Sequence, residues 1–397
     1  MEKSMEKDLF FAERPMYKIH KSFQAQLEEL DNTLFGGFYY SDSAKKLHII
    51  ALQNSNLDLS KFEAKDVIFH KAKFSYGSLL ELQTAVDSLI GSNGIHASSC
   101  EPDTNLVRIG VDKVSEELLH FIHNELSHLG YNDESMYVIE QIERPTPMSG
   151  DTQPIVEDNT NENVQLSPNY SATIMPGGMM VRKDSNGNYG GLASINFGFL
   201  YNGKPYLVGA GHACPTSYAN NDVYYVPYSG NGYPIAGLTA SYNSSNRVKI
   251  GKIALRNVSG SLDLFTVRIT ENNLAFTHTA YNGWTIDRIG GNVAVGDLIR
   301  VCGVTTRYDA DYEYGTCSAI NQTRTVSGTT ISNMFKMNFG ANNGTSGGPV
   351  ITRDSDNGIR LVGAASSNDT SSFYAVMTKK MLESYSLTML PAGAISV

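Results

Sequence analysis

Two kinds of apolar pattern divide this chain. Between residues 47 and 143, short apolar runs alternate with stretches in which apolar side chains recur every three or four positions. Leu47–Leu52 (LHIIAL) reads as a strand and 66–74 as a second β-leaning stretch. Across 75–90, Leu79, Leu82, Val86 and Leu89 fall on a helical period. Residues 94–97 and 105–111 read as a hairpin around Glu101-Pro102-Asp103. Residues 113–129 form a second amphipathic helix that stops at Gly130, and 137–142 (YVIEQI) a last strand. The order β-β-α-β-β-α-β predicts one compact sheet with two helices on one face. Upstream, Leu27, Leu30 and Leu34 are spaced as a helix face, with Gly36-Gly37 as its stop.

The pattern then changes twice. Residues 144–170 (RPTPMSGDTQPIVEDNTNENVQLSPNY) have no apolar period and read as an exposed linker, open to proteases. From 171 to 376 the chain is short strands and turns. Asn202-Gly203 between two apolar runs is a hairpin signal, and Asn282-Gly283 and Asn357-Gly358 mark further turns. A helical period returns only at 378–385 (TKKMLESY). Short strands with glycine-rich turns over about 200 residues predict a β-sandwich or barrel.

Composition sharpens this division. Of 397 residues, 36 are glycine: eight precede residue 151 and 28 follow it. Residues 1–150 carry a formal charge of −9, the linker 151–170 carries −4, and 171–397 carry +4. We expect a partly helical extension (1–43), an α+β domain (44–145), a linker (146–170) and a β-rich domain (171–397). Opposite charge favours docking of the first part on the last. An acidic chain without a dense Lys/Arg block argues against nucleic acid as a partner. No apolar run reaches the roughly 18 residues of a membrane span, and the first residues (MEKSMEKDLFFAER) lack the apolar core of a secretory signal.

The β-rich part holds two glycine-flanked segments with chemistry. Gly209-Ala210-Gly211-His212-Ala213-Cys214 follows an apolar strand, and Gly344-Thr345-Ser346-Gly347-Gly348-Pro349 precedes one. A nucleophilic serine needs a base, and the base needs an anionic orienter. Asp263, inside the apolar run Leu262-Asp263-Leu264-Phe265-Thr266-Val267, is a lone carboxylate that is costly to bury unless paired. Asp222, in a polar turn, is the runner-up acid.

These motifs, in the order His, Asp, Ser, resemble the chymotrypsin-like serine proteases, and specifically their streptogrisin and α-lytic protease branch. Cys302-Gly303 and Cys317 flank Thr305-Thr306 as the family's disulfide does. The end of the chain resembles the family's strand and short helix, and Glu101-Pro102-Asp103-Thr104-Asn105-Leu106-Val107 resembles its propeptide pattern. The resemblance spans about residues 45–390. It implies an all-β double β-barrel preceded by a smaller α+β propeptide-like domain, in a bacterial zymogen. The activity implied is a serine endopeptidase acting on proteins or peptides through His212, Asp263 and Ser346, with no cofactor. Gly344 and Ser346 would supply the oxyanion hole. Ser366 would lie behind Asp263, and Ser366, Ser367 and Asn368 would pair with the substrate backbone. The family commonly has Ser-Gly-Gly there, so Ser367 and Asn368 depart from it.

Thr345 stands where the family more often has Asp, so the pancreatic N-terminus switch cannot operate through it; the N-terminal domain, which would assist folding and inhibit, is the expected control. Gly340, six before the serine, favours a neutral or apolar side chain at the cleaved position. The family implies export, which the N-terminal sequence does not. A protease fold that no longer cleaves and serves as a scaffold is the rival reading.

Other residues carry bland expectations. His120, His123 and His128 sit on a solvated helix, and no metal site is expected of them. Cys302 and Cys317 are either the family's disulfide, closing a loop worth roughly 3 kcal/mol, or two thiols in a reducing compartment. Cys100 and Cys214 have no evident partner. Trp284 reads as core and His278 as a turn residue.

Overall fold

The computed structural model describes residues 23, 26, 27, 29–41, 46–53, 60–62, 65–144, 146–147, 171–183, 189–214, 221–226, 247–280, 284–303, 314–340, 345–354, 358–368 and 372–395. Gly344 and the turns at 282–283 and 357 lie outside them.

Among the described residues, the strands of the N-terminal part lie in two separate sheets, not one. Strands β1 (Phe35–Ser41), β2 (Lys46–Leu52) and β3 (Val67–Ala72) make a three-stranded sheet, with β1 antiparallel and β3 parallel to β2. Strands β4 (Ile95–Glu101), β5 (Leu106–Val111) and β6 (Tyr137–Gln141) belong to a second, larger sheet. Gly36-Gly37 does not stop a helix; it lies within β1 as a bulge, with Gly37 at φ +114. The Cβ of Ala72 approaches Gly36 so closely that no side chain fits there. The glycine pair therefore serves close strand approach, which a helical reading of Leu27, Leu30 and Leu34 does not foresee.

Helices α1 (Tyr76–Asp87) and α2 (Glu116–His128) have the expected periods. Ser75 and Ser115 cap them, each accepting the N–H three residues on (3.1 and 3.2 Å). Leu79, Leu82 and Val86 of α1 and Leu118, Ile122 and Leu126 of α2 bury against Ile95, Val107, Ile109 and Val111. Helix α2 is the crossover that lets β5 and β6 run parallel.

Strand β7 (Thr146–Pro147) follows. After residue 170 come β8 (Ala172–Ile174), β9 (Met179–Lys183), β10 (Tyr189–Ser194), β11 (Gly198–Tyr201), β12 (Lys204–Gly209), β13 (Asp222–Val226), β14 (Val248–Ser259), β15 (Leu262–Ile269), β16 (Leu274–Phe276) and β17 (Arg288–Ile289). The chain ends with β18 (Leu298–Val301), β19 (Tyr314–Val326), β20 (Thr329–Met337), β21 (Pro349–Arg353), β22 (Ile359–Asn368), β23 (Phe373–Met377), α3 (Thr378–Tyr385), β24 (Thr388–Met389) and β25 (Gly393–Ala394). The β11–β12 hairpin turns at Asn202 (φ +50) and Gly203 (φ +71), the left-handed pair that a two-residue turn requires.

Among the described residues this part is mostly strand, in a small sheet of order β25-β16-β8 and two main ones. One has the order β10-β9-β13-β14-β15-β12-β11-β24. The other runs β18-β21-β22-β23-β20-β19 and continues into β4-β5-β6, because Ser98 and Ala97 of β4 pair with Thr323 and Arg324 of β19. β7 and β17 flank β22. Phe265, Val267 and Tyr225 fill the core of the first sheet, and Phe335, Val350 and Phe373 that of the second. Between them, Leu264, Val208 and Phe197 pack on Ile351, Ala364 and Val376. Among the described residues no helix is long and apolar enough to cross a membrane.

The disulfide expectation is corrected: Cys302 and Cys317 are buried and not bonded to each other. Register is the reason. β18 pairs Leu298 with Thr316, so Cys317 faces Asp297, to whose carbonyl its N–H donates (2.8 Å). Cys302 lies five residues further along, about 16 Å at strand rise, where a disulfide tolerates roughly 7 Å between Cα atoms. Its N–H is taken instead by the Pro349 carbonyl (2.9 Å). Burial, with the Asp297 charge second, pushes the Cys317 thiol well up.

Candidate active site

The end of β12 delivers His212. After Gly209 the chain leaves the sheet in a short turn of 3-10 helix, Gly211–Ala213. A Cβ on Gly211 would strike the backbone of Leu264, 2.6 Å from its carbonyl oxygen, so only glycine lets this turn sit on β15. The next strand over, β15, carries Asp263 near its start; β12 and β15 pair antiparallel, Gly209 with Phe265.

Asp263 is completely buried and fully engaged. Its Oδ1 accepts the backbone N–H of His212 (2.7 Å). Its Oδ2 lies 2.6 Å from His212 Nδ1 and accepts the Ser366 hydroxyl at 2.6 Å. Burial alone drives this carboxyl up. The imidazole charge, its hydrogen bond, the Ser366 hydroxyl and the His212 N–H outweigh it, and the carboxyl is held below the usual range. A carboxylate with three donors around it is the state this pocket selects. That answers the cost of burying a lone Asp in an apolar strand.

On the other ring nitrogen, His212 Nε2 stands 2.8 Å from Ser346 Oγ. Ser346 lies in the turn leading into β21 and is itself buried. The turn is pinned from three sides: Ser194 N–H donates to the Ser346 carbonyl (2.8 Å), Gly347 N–H to Ala365 (2.8 Å) and Gly348 N–H to Thr345 (2.7 Å). Gly347 holds φ +81, and a Cβ there would meet the Ser194 carbonyl and the Ala210 N–H at 2.6 and 2.7 Å. Glycine after the serine is a steric necessity.

The structure thus brings four sequence-predicted residues together: His212, Asp263, Ser346 and Ser366. Ser367 and Asn368 continue β22 from Ser366, and β7 pairs with them antiparallel, Pro147 opposite Ser367 and Thr146 opposite Asn368. The runner-up acid Asp222 is elsewhere, on β13 in an ion pair with Lys249 (3.2 Å). Gly344 lies outside the described residues, so of the two expected oxyanion donors only Ser346 is placed. His278 lies in a bend, and its Nε2 is 2.8 Å from the Leu390 carbonyl, which ties the C-terminal segment down. His123 pairs with the Tyr137 hydroxyl at 2.6 Å.

Three supporting residues are not foreseen from sequence. Ser194 fixes the serine turn through its N–H. Buried Asn196 donates its amide to the carbonyls of Gly363 (3.0 Å) and Gly348 (3.3 Å), joining β22 to the serine turn. Arg256 of β14 donates its Nε–H to the Gly211 carbonyl (2.9 Å), bracing the turn that carries His212. They act through backbone atoms of residues 45 to 167 positions away, which leaves no local signal to read.

No protein-family model and no curated protein matches the chain. Among solved structures it is similar to an α-lytic protease homolog designated N4, at 16% identity and a TM-score of 0.41, covering 55% of this chain and 99% of that one. It is also similar to Thermobifida fusca protease A (20%, TM-score 0.40, 56% and 100%) and to a Nocardiopsis protease (22%, TM-score 0.39, 55% and 100%). At these scores the likeness decides nothing about chemistry. The hydrogen bonds among His212, Asp263 and Ser346 bear on that directly.

Proposed function

We propose that this protein is a serine endopeptidase. The observation that carries the reading is the unbroken chain Ser346 Oγ–His212 Nε2, His212 Nδ1–Asp263 Oδ2, with lengths of 2.8 and 2.6 Å. In this reading His212 takes the hydroxyl proton as Ser346 attacks a peptide carbonyl. Asp263 fixes the tautomer that leaves Nε2 as the acceptor and stabilises the imidazolium that forms. His212 then returns the proton to the leaving amine, and water attacks the acyl-enzyme by the same route in reverse. Backbone N–H groups of Gly344 and Ser346 stabilise the oxyanion.

Ser366, Ser367 and Asn368 are assigned to the substrate backbone. Support comes from the chain itself, whose Thr146-Pro147 already lies along Ser367 and Asn368 as an added strand. The same pairing, with that of β4 on β19, supports reading the N-terminal part as a built-in inhibitor that assists folding. On this reading activity requires that the linker be cut and that the N-terminal part then leave. Without an acid at position 345, control through a new N-terminus is not available to that residue.

The test is covalent labelling of purified protein by a fluorophosphonate probe, before cleavage of the linker and after cleavage and separation of the N-terminal part, with casein turnover alongside. Labelling that maps to Ser346 and is lost in Ser346→Ala is the expected result. If neither form labels nor turns over casein, the scaffold reading replaces this one.

A further inference from the structure

Strand β1 lies outside the stretch that carries the family resemblance, yet it touches both larger parts of the molecule. On one side Phe35 packs on Tyr76 of α1, with ring centroids 6.0 Å apart. The Asn105 amide donates to the Gly36 carbonyl (3.3 Å). A Cβ on Gly37 would meet Pro102 at 2.9 Å.

On the other side is the turn 293–297. Here the ring of Tyr40 lies against Gly296 so closely that a Cβ on that glycine would fall among the ring carbons. Gly296 holds φ +90, which keeps its face flat and open to the ring. The turn is not a loose loop. Asp297, 5% exposed, accepts the Ala294 N–H at 2.9 Å, and Gly296 N–H donates to the Cys317 carbonyl at 2.8 Å. An apolar cavity of about 240 Å³ sits at this three-way junction, lined among others by Leu30 and Phe38, by Pro102, and by Val293, Val295 and Ile320.

Strand β19 is therefore held at two places. Near its start, Cys317 carries the turn that receives Tyr40. Further along, Thr323 and Arg324 pair with β4, the Thr323 hydroxyl reaches Asp87 (2.9 Å), and buried Arg324 donates to the Ser98 carbonyl (3.1 Å). Six residues of strand separate the two holds, roughly 20 Å. Two contacts on one rigid strand multiply: losing either leaves the other to rebind at high effective concentration.

We propose that β1 is a second latch, with Tyr40 seated on Gly296 as its anchor, so that cutting the linker does not by itself release the N-terminal part from the protease part. The proposal rests on reading the C-terminal part as a protease held by the N-terminal part. Its consequence is that the cut chain stays a bound complex until the β1 contact is broken. A nick upstream of β2, or unfolding of the β1–β3 sheet, would then set the rate of activation.

The test uses the full chain carrying Ser346→Ala, so that no self-cleavage intervenes, with a sequence-specific protease site replacing residues 156–162. After cutting, dissociation of the two fragments is followed by interferometry on an immobilised C-terminal fragment. Tyr40→Ala is expected to weaken the complex about 100-fold, and Val295→Asn, from the receiving side, to weaken it in the same direction. Tyr40→Phe keeps the ring on Gly296 and is expected to stay within about threefold of the parent. Equal dissociation constants for the parent, Tyr40→Ala and Val295→Asn would overturn the latch. Because the readout is binding between fragments of an inactivated chain, it fails or succeeds independently of whether Ser346 is a nucleophile.

Discussion

Replacing Asp263 by Asn tests the central geometry most sharply, because it changes one atom and no volume. Two donors meet at Oδ2, the Nδ1–H of His212 and the Ser366 hydroxyl, both at 2.6 Å; the His212 backbone N–H meets Oδ1 at 2.7 Å. An amide has one acceptor atom, its oxygen, and one donor atom, its NH₂ nitrogen. If its oxygen stays toward the His212 N–H, the amide NH₂ faces Nδ1. The ring then takes the tautomer with its proton on Nε2, pointing at Ser346 Oγ. A base that already holds its proton cannot take another. If the amide turns over, its NH₂ faces the backbone N–H, and one buried donor is left without an acceptor, a cost of about 1–3 kcal/mol. The first outcome is cheaper and is the one expected.

Loss of the correct tautomer is worth a factor of about 10⁴ in kcat, or about 5.5 kcal/mol of transition-state stabilisation. On the proposed function, the assay is steady-state hydrolysis of a fluorogenic peptide by the cut protein freed of its N-terminal part, with active sites titrated by fluorophosphonate. KM should change little, since Asp263 is buried and touches no substrate position. Circular dichroism should show the fold intact. Should Asp263→Asn keep its kcat within about tenfold of the parent while Ser346→Ala abolishes turnover, Asp263 is not the orienter and the reasoning fails.

Further outcomes follow from the same contacts. Asp263 has a depressed pKa in the fold, so its stabilisation is present above the ordinary carboxylate range and is lost as pH falls through the lowered value. Ser366→Ala removes one of the donors that depress it; acid unfolding followed by fluorescence should then begin at a higher pH than in the parent. Gly347→Ala places a methyl group between the Ser194 carbonyl and the Ala210 N–H at a positive φ, and should cost about 3 kcal/mol or more in urea titration. A loss under about 1 kcal/mol would mean that the turn yields. With no bond between Cys302 and Cys317, thiol titration of the unfolded chain without reductant should count four thiols, where a disulfide would leave two.

Local sequence settled a good deal. The helices 76–87 and 116–128, their serine caps, the Asn202-Gly203 hairpin and the C-terminal helix 378–385 are written in short-range spacing, because helix period, capping and turn chemistry act within a few residues. The His212, Asp263 and Ser346 motifs are legible for a related reason. The turns that carry His212 and Ser346 need glycine where they pack on neighbouring backbone, and an acid in an apolar strand needs a partner, so the arrangement leaves a mark in the immediate neighbours.

What the tertiary structure alone decided is pairing across distance. The family resemblance offered Cys302 and Cys317 as partners, with two free thiols as the alternative; the register of β18 on β19 sets Cys317 against Asp297 and leaves Cys302 elsewhere. Sequence offered one N-terminal sheet; β2 and β3 instead join β1, while β4 extends the sheet of β19. Arg256, Asn196 and Ser194 support the site through backbone atoms that no motif encodes. A strand edge offers the same N–H and C=O groups whatever its side chains, so which edges meet, and in which register, is fixed only when the whole core packs. Residue type and spacing name the groups that do chemistry. The fold decides which of them come within 3 Å of one another.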